Sequence, residues 1–190
     1  MRNNLLSVIS ILLLITACSS KEIKQEQSIT DQPAKTVVDF IKWYSNNMSR
    51  LNKIEIVNNS FDSIFDSTGL YSINFTNGEL FLAELKKSGF ISDAYVEFMR
   101  NYFKDCEKNF VENPQFDGPP EGFDFDLVLW SQEYDEDLKH IDKSTVGESS
   151  ISSKKANIQI KFPSGSSLKY DLSLYNDKWM IDKIDNGWGK

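Results

Sequence analysis

The sequence predicts a protein of the α+β class, in which N-terminal helices pack on a curved antiparallel sheet. Two observations support this prediction. Apolar residues recur at helical spacing in the first part of the chain, and after the proline-rich segment 113–122 the apolar period changes from about 3.6 to about 2. Helices followed by consecutive strands are typical of α+β proteins. A length of 190 residues fits one compact domain.

The first residues resemble a secretory leader rather than a membrane span. Arg2 lies in a short polar start, and the apolar run Leu5–Ile15 follows it. As a helix this run would be about 16 Å long, whereas the hydrocarbon core of a bilayer is about 30 Å thick. We therefore interpret residues 1–17 as a signal peptide.

Cys18 ends the segment ITAC, residues 15–18, which resembles the bacterial lipobox. In lipoproteins the cysteine thiol and the amine freed by cleavage are both acylated, so the resemblance implies a lipid on Cys18 and attachment to the membrane through it. Residues 18–32 are polar and are expected to form a flexible tether to a single domain, residues 33–190. If the host is Gram-negative, Ser19 implies the outer membrane of the cell envelope, by analogy with its lipoproteins. An ordinary secretory signal with an incidental cysteine is the alternative.

Two helices are expected before residue 90. Pro33 suits the first turn of a helix, and the apolar stripe that follows it repeats at helical spacing. The stripe consists of Val37, Phe40, Ile41, Tyr44, Met48 and Leu51. A short strand or extended lead-in at Tyr71–Phe75 precedes the second helix. Thr76 and Glu79 form a capping box for that helix, and Gly89 ends it.

The third helix carries the strongest periodic signal in the chain. Ser92 caps it, and it runs to about Glu112. Its apolar stripe consists of Tyr95, Phe98, Met99, Tyr102, Phe103, Cys106 and Phe110. The stripe forms core against the sheet, or part of it lines a pocket for a small apolar ligand; the two interpretations overlap. The candidate pocket residues are Tyr95, Met99, Tyr102 and Phe103. Because Cys106 lies on the stripe, we expect a buried, inert thiol.

The C-terminal part of the chain is expected to form an antiparallel meander. The predicted strands are Thr145–Ile151, Asn157–Phe162, Leu168–Tyr175 and Trp179–Ile184. Turn residues separate them at 154–155, 163–165 and 176–177. Before the meander, Phe125–Trp130 is predicted to be a short strand or a helical turn, and Asp135–Asp142 a brief helical turn or loop.

Three short segments resemble those of the NTF2-like (cystatin-like) fold. They are FIKWY at residues 40–44, DFD at 124–126 with SQE at 131–133, and WMID at 179–182. More narrowly, the chain is similar to the DUF3828 group of bacterial envelope proteins, many of which are lipoproteins. The resemblance implies an NTF2-like fold for residues 33–190. It implies no catalytic residue, because that group has no known common activity and NTF2-like folds host both enzymes and binding modules.

Composition excludes several classes of function. The chain has 28 acidic and 21 basic side chains, a net charge of −7 and a pI near 4.8, so nucleic acid is not an expected partner. A single histidine, His140, excludes a histidine-rich metal site, and we expect it at the surface beside a charged turn. Motifs for binding nucleotides or metals, or for activating a nucleophile, are not found in the sequence. No cofactor, metal or catalytic residue is therefore predicted.

Eight carboxylates fall between Asp117 and Asp137, with no lysine or arginine among them. This acidic belt has three interpretations: a solvated face, a docking surface for a basic envelope partner, or a calcium site without EF-hand spacing. The candidate partner-binding residues are Asp124, Asp126, Glu133, Asp135, Glu136 and Asp137. On a strand, Asp124 and Asp126 would share one face and suit an acid–base pair; otherwise they would cap the turn after Gly122.

These observations predict a non-catalytic envelope lipoprotein that binds a protein partner or a small apolar ligand. An immunity or inhibitor lipoprotein that acts through its acidic surface is one alternative. A small NTF2-like hydrolase or isomerase that uses Asp124 or Asp126 in a pocket is the other.

Overall fold

In a computed structural model of the chain, the residues described are 32–59 and 69–185. The predicted signal peptide, the lipidation site Cys18 and the tether up to residue 31 lie outside these ranges. Within the described ranges, no helix combines the length and the apolar character needed to cross a membrane.

The described residues have the α+β architecture that the sequence predicts. They form the helices α1 Gln32–Leu51, α2 Phe75–Lys86, α3 Asp93–Glu112 and α4 Asp135–Lys139, and a single 3-10 turn, Ile141–Lys143, follows α4. The short strands β1 Val57–Asn59 and β2 Tyr71–Ile73 pair with each other. The remaining strands are β3 Thr145–Ile151, β4 Lys155–Lys161, β5 Ser167–Tyr175 and β6 Lys178–Asp185.

The main sheet is an antiparallel meander with the strand order β3-β4-β5-β6, as the period-2 alternation predicts. At its centre, Ile158 of β4 faces Tyr170 of β5, and Tyr170 faces Ile184 of β6. All three side chains are fully buried. The register shifts within residues 146–149 of β3 and at residues 171–172 of β5. Irregularities of this kind bend a strand and increase its twist.

Helices α1 and α3 cover the buried face and one edge of this sheet. α1 contacts β4 and β6, and α3 contacts β6. The stripe predicted for α1 is buried, except that Met48 at the C-terminal end is only partly so. Burying one Leu, Ile or Phe side chain contributes about 1.5–3 kcal/mol, so this face accounts for much of the stability of the helix.

The sequence predicts the N-terminal cap of α3 correctly but not that of α2. Ser92 caps α3 as expected, since its Oγ accepts a hydrogen bond from the N–H of Tyr95 at 3.3 Å. The capping box predicted for α2 is wrong, because the helix begins at Phe75 and Asn74 caps it. Glu79 instead forms an ion pair with Arg100 on α3.

Residues 90–92 form a short extended segment along the outer edge of β6. The N–H of Ile181 donates to the carbonyl of Phe90 at 2.8 Å, and the N–H of Ser92 donates to the carbonyl of Ile181 at 3.0 Å. The Ser92 hydroxyl also donates to Asp182 at 2.7 Å. These bonds attach the N-terminus of α3 to the sheet, and they satisfy backbone groups that an edge strand otherwise leaves unpaired.

Candidate ligand-binding cleft

A cleft of about 510 Å³ opens between the C-terminal end of α1, the start of β1, α2 and the segment 120–134. Of its fifteen described lining residues, eleven are apolar or aromatic and four carry a carboxylate or an amide. The lining residues are Tyr44, Leu51, Asn52, Ile54, Ile56, Val57, Phe81, Pro120, Phe123, Asp124, Phe125, Asp126, Leu127, Gln132 and Tyr134. Clefts of roughly 300–1,000 Å³ with such walls and a few polar groups are typical of small-molecule sites.

The wall formed by residues 120–125 rests on α3. The Phe123 ring stacks on the Phe103 ring with centroids 6.1 Å apart, and the Tyr102 hydroxyl donates to the carbonyl of Gly122. Gly122 has a φ of +82°, and a Cβ there would lie 2.9 Å from both Cys106 Sγ and Tyr102 Oη. Only glycine therefore lets the loop approach the helix this closely.

Asp126 organises the next turn of this segment. Its Oδ1 accepts hydrogen bonds from the N–H of Val128 at 2.9 Å and of Leu129 at 2.8 Å. Its backbone N–H donates to the carbonyl of Ser131, and its carbonyl accepts from the N–H of Trp130. Residues 125–130 thus form a helical turn and not a strand, one of the two predicted possibilities. Since no strand exists here, Asp124 and Asp126 do not share a strand face.

The Asp126 carboxylate lies beneath this turn, at the floor of the cleft. The Tyr44 hydroxyl of α1 donates to its Oδ2 at 2.6 Å. The pKa of Asp126 lies above its ordinary value because burial has the largest effect. The hydrogen bonds from Tyr44, Leu129 and Val128 act in the opposite direction and offset only part of this rise. Burial, followed by the charge of Asp126, raises the pKa of Tyr44, so the phenol keeps its proton and remains the donor.

The remaining polar lining residues lie nearer to solvent. Asp124 and Gln132 are exposed at the rim, and Tyr134 is half-buried. No lysine, arginine or histidine is among the described residues that line the cleft, nor does any serine or cysteine line it there. Both charges contributed by the described lining are therefore negative.

Three of the four candidate pocket residues lie in the core rather than on the cleft wall. Tyr95 and Met99 are 0% exposed and Phe103 is 2% exposed. Tyr102 is half-buried and supports the wall from behind through Gly122. The α3 stripe thus forms core, and the described cleft lies on the other side of the segment 120–125. Sequence reasoning gave Tyr44 only a core role, although it lies in the FIKWY segment at residues 40–44.

The candidate partner-binding carboxylates divide into two groups. Asp124, Glu133, Asp135 and Glu136 are exposed. Asp137 is buried: its Oδ1 accepts from the Ser164 N–H at 2.9 Å, and its Oδ2 accepts from the hydroxyls of Ser164 at 2.8 Å and Ser166 at 3.1 Å. Asp126 likewise points inward. Asp137 and Asp126 therefore hold loops in place, and of these six carboxylates only the four exposed ones are available to a basic protein partner.

The other reactive side chains offer little chemistry. Cys106 is free and buried, and burial raises the pKa of its thiol to about 11, as expected for an inert thiol. His140 lies at the surface, with Nε2 3.7 Å from the Glu136 carboxylate. The described residues include no group of three or more His, Cys, Asp or Glu side chains placed to hold a metal ion.

Comparison with known proteins finds no protein family, no curated protein and no solved structure that matches the chain. Three hydrogen bonds already occupy the Asp126 carboxylate, which limits its use as a proton-transfer group. The arrangement is chemically suited to holding a ligand between apolar walls, with one polar anchor at the floor.

Proposed function

We propose that this protein is an envelope lipoprotein whose single NTF2-like domain is a non-catalytic binding module for a small ligand with an apolar body. The observation that carries the proposal is the cleft of about 510 Å³ between α1 and the segment 120–134, with Asp126 at its floor. Helices packed on one face of an antiparallel sheet support the NTF2-like assignment. Such folds commonly differ in function while sharing an architecture.

The lining favours binding over catalysis. A nucleophilic or acid–base mechanism needs a nucleophile and a base within hydrogen-bond reach of each other. The described lining offers the carboxylates of Asp124 and Asp126, the phenols of Tyr44 and Tyr134, and two amides. Asp126 accepts hydrogen bonds from Tyr44 and from two backbone N–H groups. Its first role is therefore to hold the turn and the helix together.

The proposal places the domain close to a membrane. Lipid on Cys18 would be the attachment, and two or more acyl chains hold a protein stably where one does so only marginally. Residues 18–32 would allow a reach of about 20 Å if they behave as a coil. An apolar ligand that leaves or enters the bilayer would then meet the cleft at short range. Loss of the protein from the membrane fraction on Cys18→Ser, with normal export, is the expected result; retention would contradict the lipid anchor.

Binding of Nile red, a neutral apolar dye, tests the cleft directly. The protein is the mature chain, residues 18–190, carrying Cys18→Ser. We expect saturable fluorescence enhancement at one site per chain. Gln132→Trp, which places a large ring at the rim, should weaken binding at least tenfold. Val111→Trp is the matched control, because Val111 is 70% exposed and does not line the cleft. Equal binding by both variants, or no saturable binding, would overturn the proposal.

A further inference from the structure

We infer that the ligand of this cleft is an organic cation, a protonated amine on an apolar body. The inference rests on the proposed function and adds the chemical class of the ligand. The described lining carries two carboxylates, Asp124 at the rim and Asp126 at the floor, and no basic side chain. No described lysine, arginine or histidine forms an ion pair with either of them.

Asp126 has one acceptor position left for such a ligand. A carboxylate offers about four acceptor sites. The N–H groups of Val128 and Leu129 occupy both sites on Oδ1, and the Tyr44 hydroxyl occupies one on Oδ2. Among the described residues, no donor occupies the fourth site, on Oδ2. Asp126 is half-buried, and a carboxylate partly removed from water without a cationic partner is unfavourable, so an ammonium N–H at this position stabilises the site.

The aromatic walls suit the same ligand. Phe81, Phe123, Phe125 and Tyr134 line the cleft with Tyr44. The face of an aromatic ring attracts a cation within about 6 Å, and the same rings cover an apolar body. Glu133 and Asp135 lie exposed beside the rim and add to the negative potential that a cation meets on approach. An anionic ligand would meet both lining carboxylates with repulsion.

Three probes of matched length separate the charge from the apolar body. Decylammonium, decanol and decanoate are titrated below their aggregation limits into the mature Cys18→Ser chain, with displacement of Nile red as the readout. We expect decylammonium to bind at least tenfold more tightly than decanol, and decanoate to bind most weakly. Decanol binding as tightly as decylammonium, or decanoate binding more tightly, overturns this inference and leaves the proposed function intact. Absence of saturable Nile red binding overturns the proposed function itself.

Substitution of the carboxylates tests whether the preference for decylammonium over decanol arises in this cleft. Asp124→Asn should reduce the ratio of decylammonium to decanol affinity at least threefold. Asp117→Asn is the matched control, because Asp117 is an exposed carboxylate of the same loop that does not line the cleft. Asp126→Asn keeps an acceptor oxygen for the two N–H groups and should reduce the ratio further. If Asp126→Asn does not fold, the pair Asp124→Asn and Asp117→Asn still decides. Equal ratios in that pair contradict the inference.

Discussion

Tyr44 of α1 donates a hydrogen bond of 2.6 Å to Asp126, which lies 82 residues further along the chain. Asp126 in turn accepts from two backbone N–H groups of its own turn. One carboxylate therefore connects the first helix to the segment that forms a wall of the cleft. Since Tyr44 is only 1% exposed, the bond forms largely out of water, where an unsatisfied partner is costly.

Tyr44→Phe should therefore lower the free energy of unfolding by about 1.5–3 kcal/mol, the range for a hydrogen bond to a charged group. The ring remains, so the packing of α1 changes little. Urea unfolding measures the difference. Tyr175→Phe is the matched control, because this tyrosine is 44% exposed and its hydroxyl is 3.4 Å from Asp182. Equal destabilisation by both variants would show that the Tyr44–Asp126 hydrogen bond contributes no more to the free energy of unfolding than a bond at the surface does.

The dependence of stability on pH provides a second prediction. Burial raises the pKa of Asp126 in the folded protein, so between the unfolded and folded pKa values the native state binds more protons than the unfolded state. Its contribution to the free energy of unfolding is therefore greatest below the unfolded pKa and falls as the pH rises through the folded pKa. Asp126→Asn lacks this titration.

We thus expect the free energy of unfolding of wild type minus that of Asp126→Asn to decrease as the pH rises from about 3 through and above the ordinary pKa of Asp, about 3.9. Urea unfolding at several pH values checks the trend. The exposed Asp117→Asn is the control for the charge change itself. A difference that increases with pH would mean that the hydrogen bonds to Asp126 outweigh its burial.

Gly122→Ala should destabilise the protein more than Gly118→Ala. Both glycines have positive φ, +82° and +76°, so alanine costs about 1–2 kcal/mol at either position. A Cβ at Gly122 would also lie 2.9 Å from Cys106 Sγ and Tyr102 Oη, whereas a Cβ at Gly118 has nothing within 4 Å. Thermal unfolding of both variants separates the two effects. Equal losses would show that the loop moves away from α3 without penalty.

Asp137→Ala should lower the free energy of unfolding by about 1–3 kcal/mol or more, because it leaves hydrogen-bond donors of Ser164 and Ser166 without their acceptor. Asp135→Ala removes an exposed carboxylate from the same helix and should change stability by less than about 0.5 kcal/mol. Urea unfolding compares the two. Equally small effects of the two substitutions would show that the Asp137 hydrogen bonds do not stabilise the fold and that its carboxylate is free for a basic partner.

Local patterns predicted most of the regular structure. The helix after Ser92, its end near Glu112 and the strand Thr145–Ile151 appear where the sequence placed them. The helix does so because it buries one face at the helical period. The first residue of α2 was harder to predict. Thr76 and Glu79 have capping-box spacing, but Asn74 already accepts the N–H of Asn77 and starts the helix earlier.

The site followed the sequence less closely, since its parts come from distant segments. The cluster of acidic residues is evident from the sequence. The sequence does not, however, distinguish the exposed Glu133 from the buried Asp137. The hydrogen-bond partners of Asp137 lie in the turn between β4 and β5. The α3 stripe was equally visible. Whether it lines a pocket or fills the core depends on where residues 120–125 pack.

The helices, the meander and the burial of Cys106 were determined by residue type and spacing, because burial at a fixed local period leaves few other arrangements. Only the tertiary structure decided that Tyr44 and Asp126 meet, and that the described cleft lies between α1 and residues 120–134. The physical reason is that a half-buried carboxylate takes its donors from whatever the fold brings within hydrogen-bond distance. That choice depends on packing across 82 residues of sequence and on no local pattern.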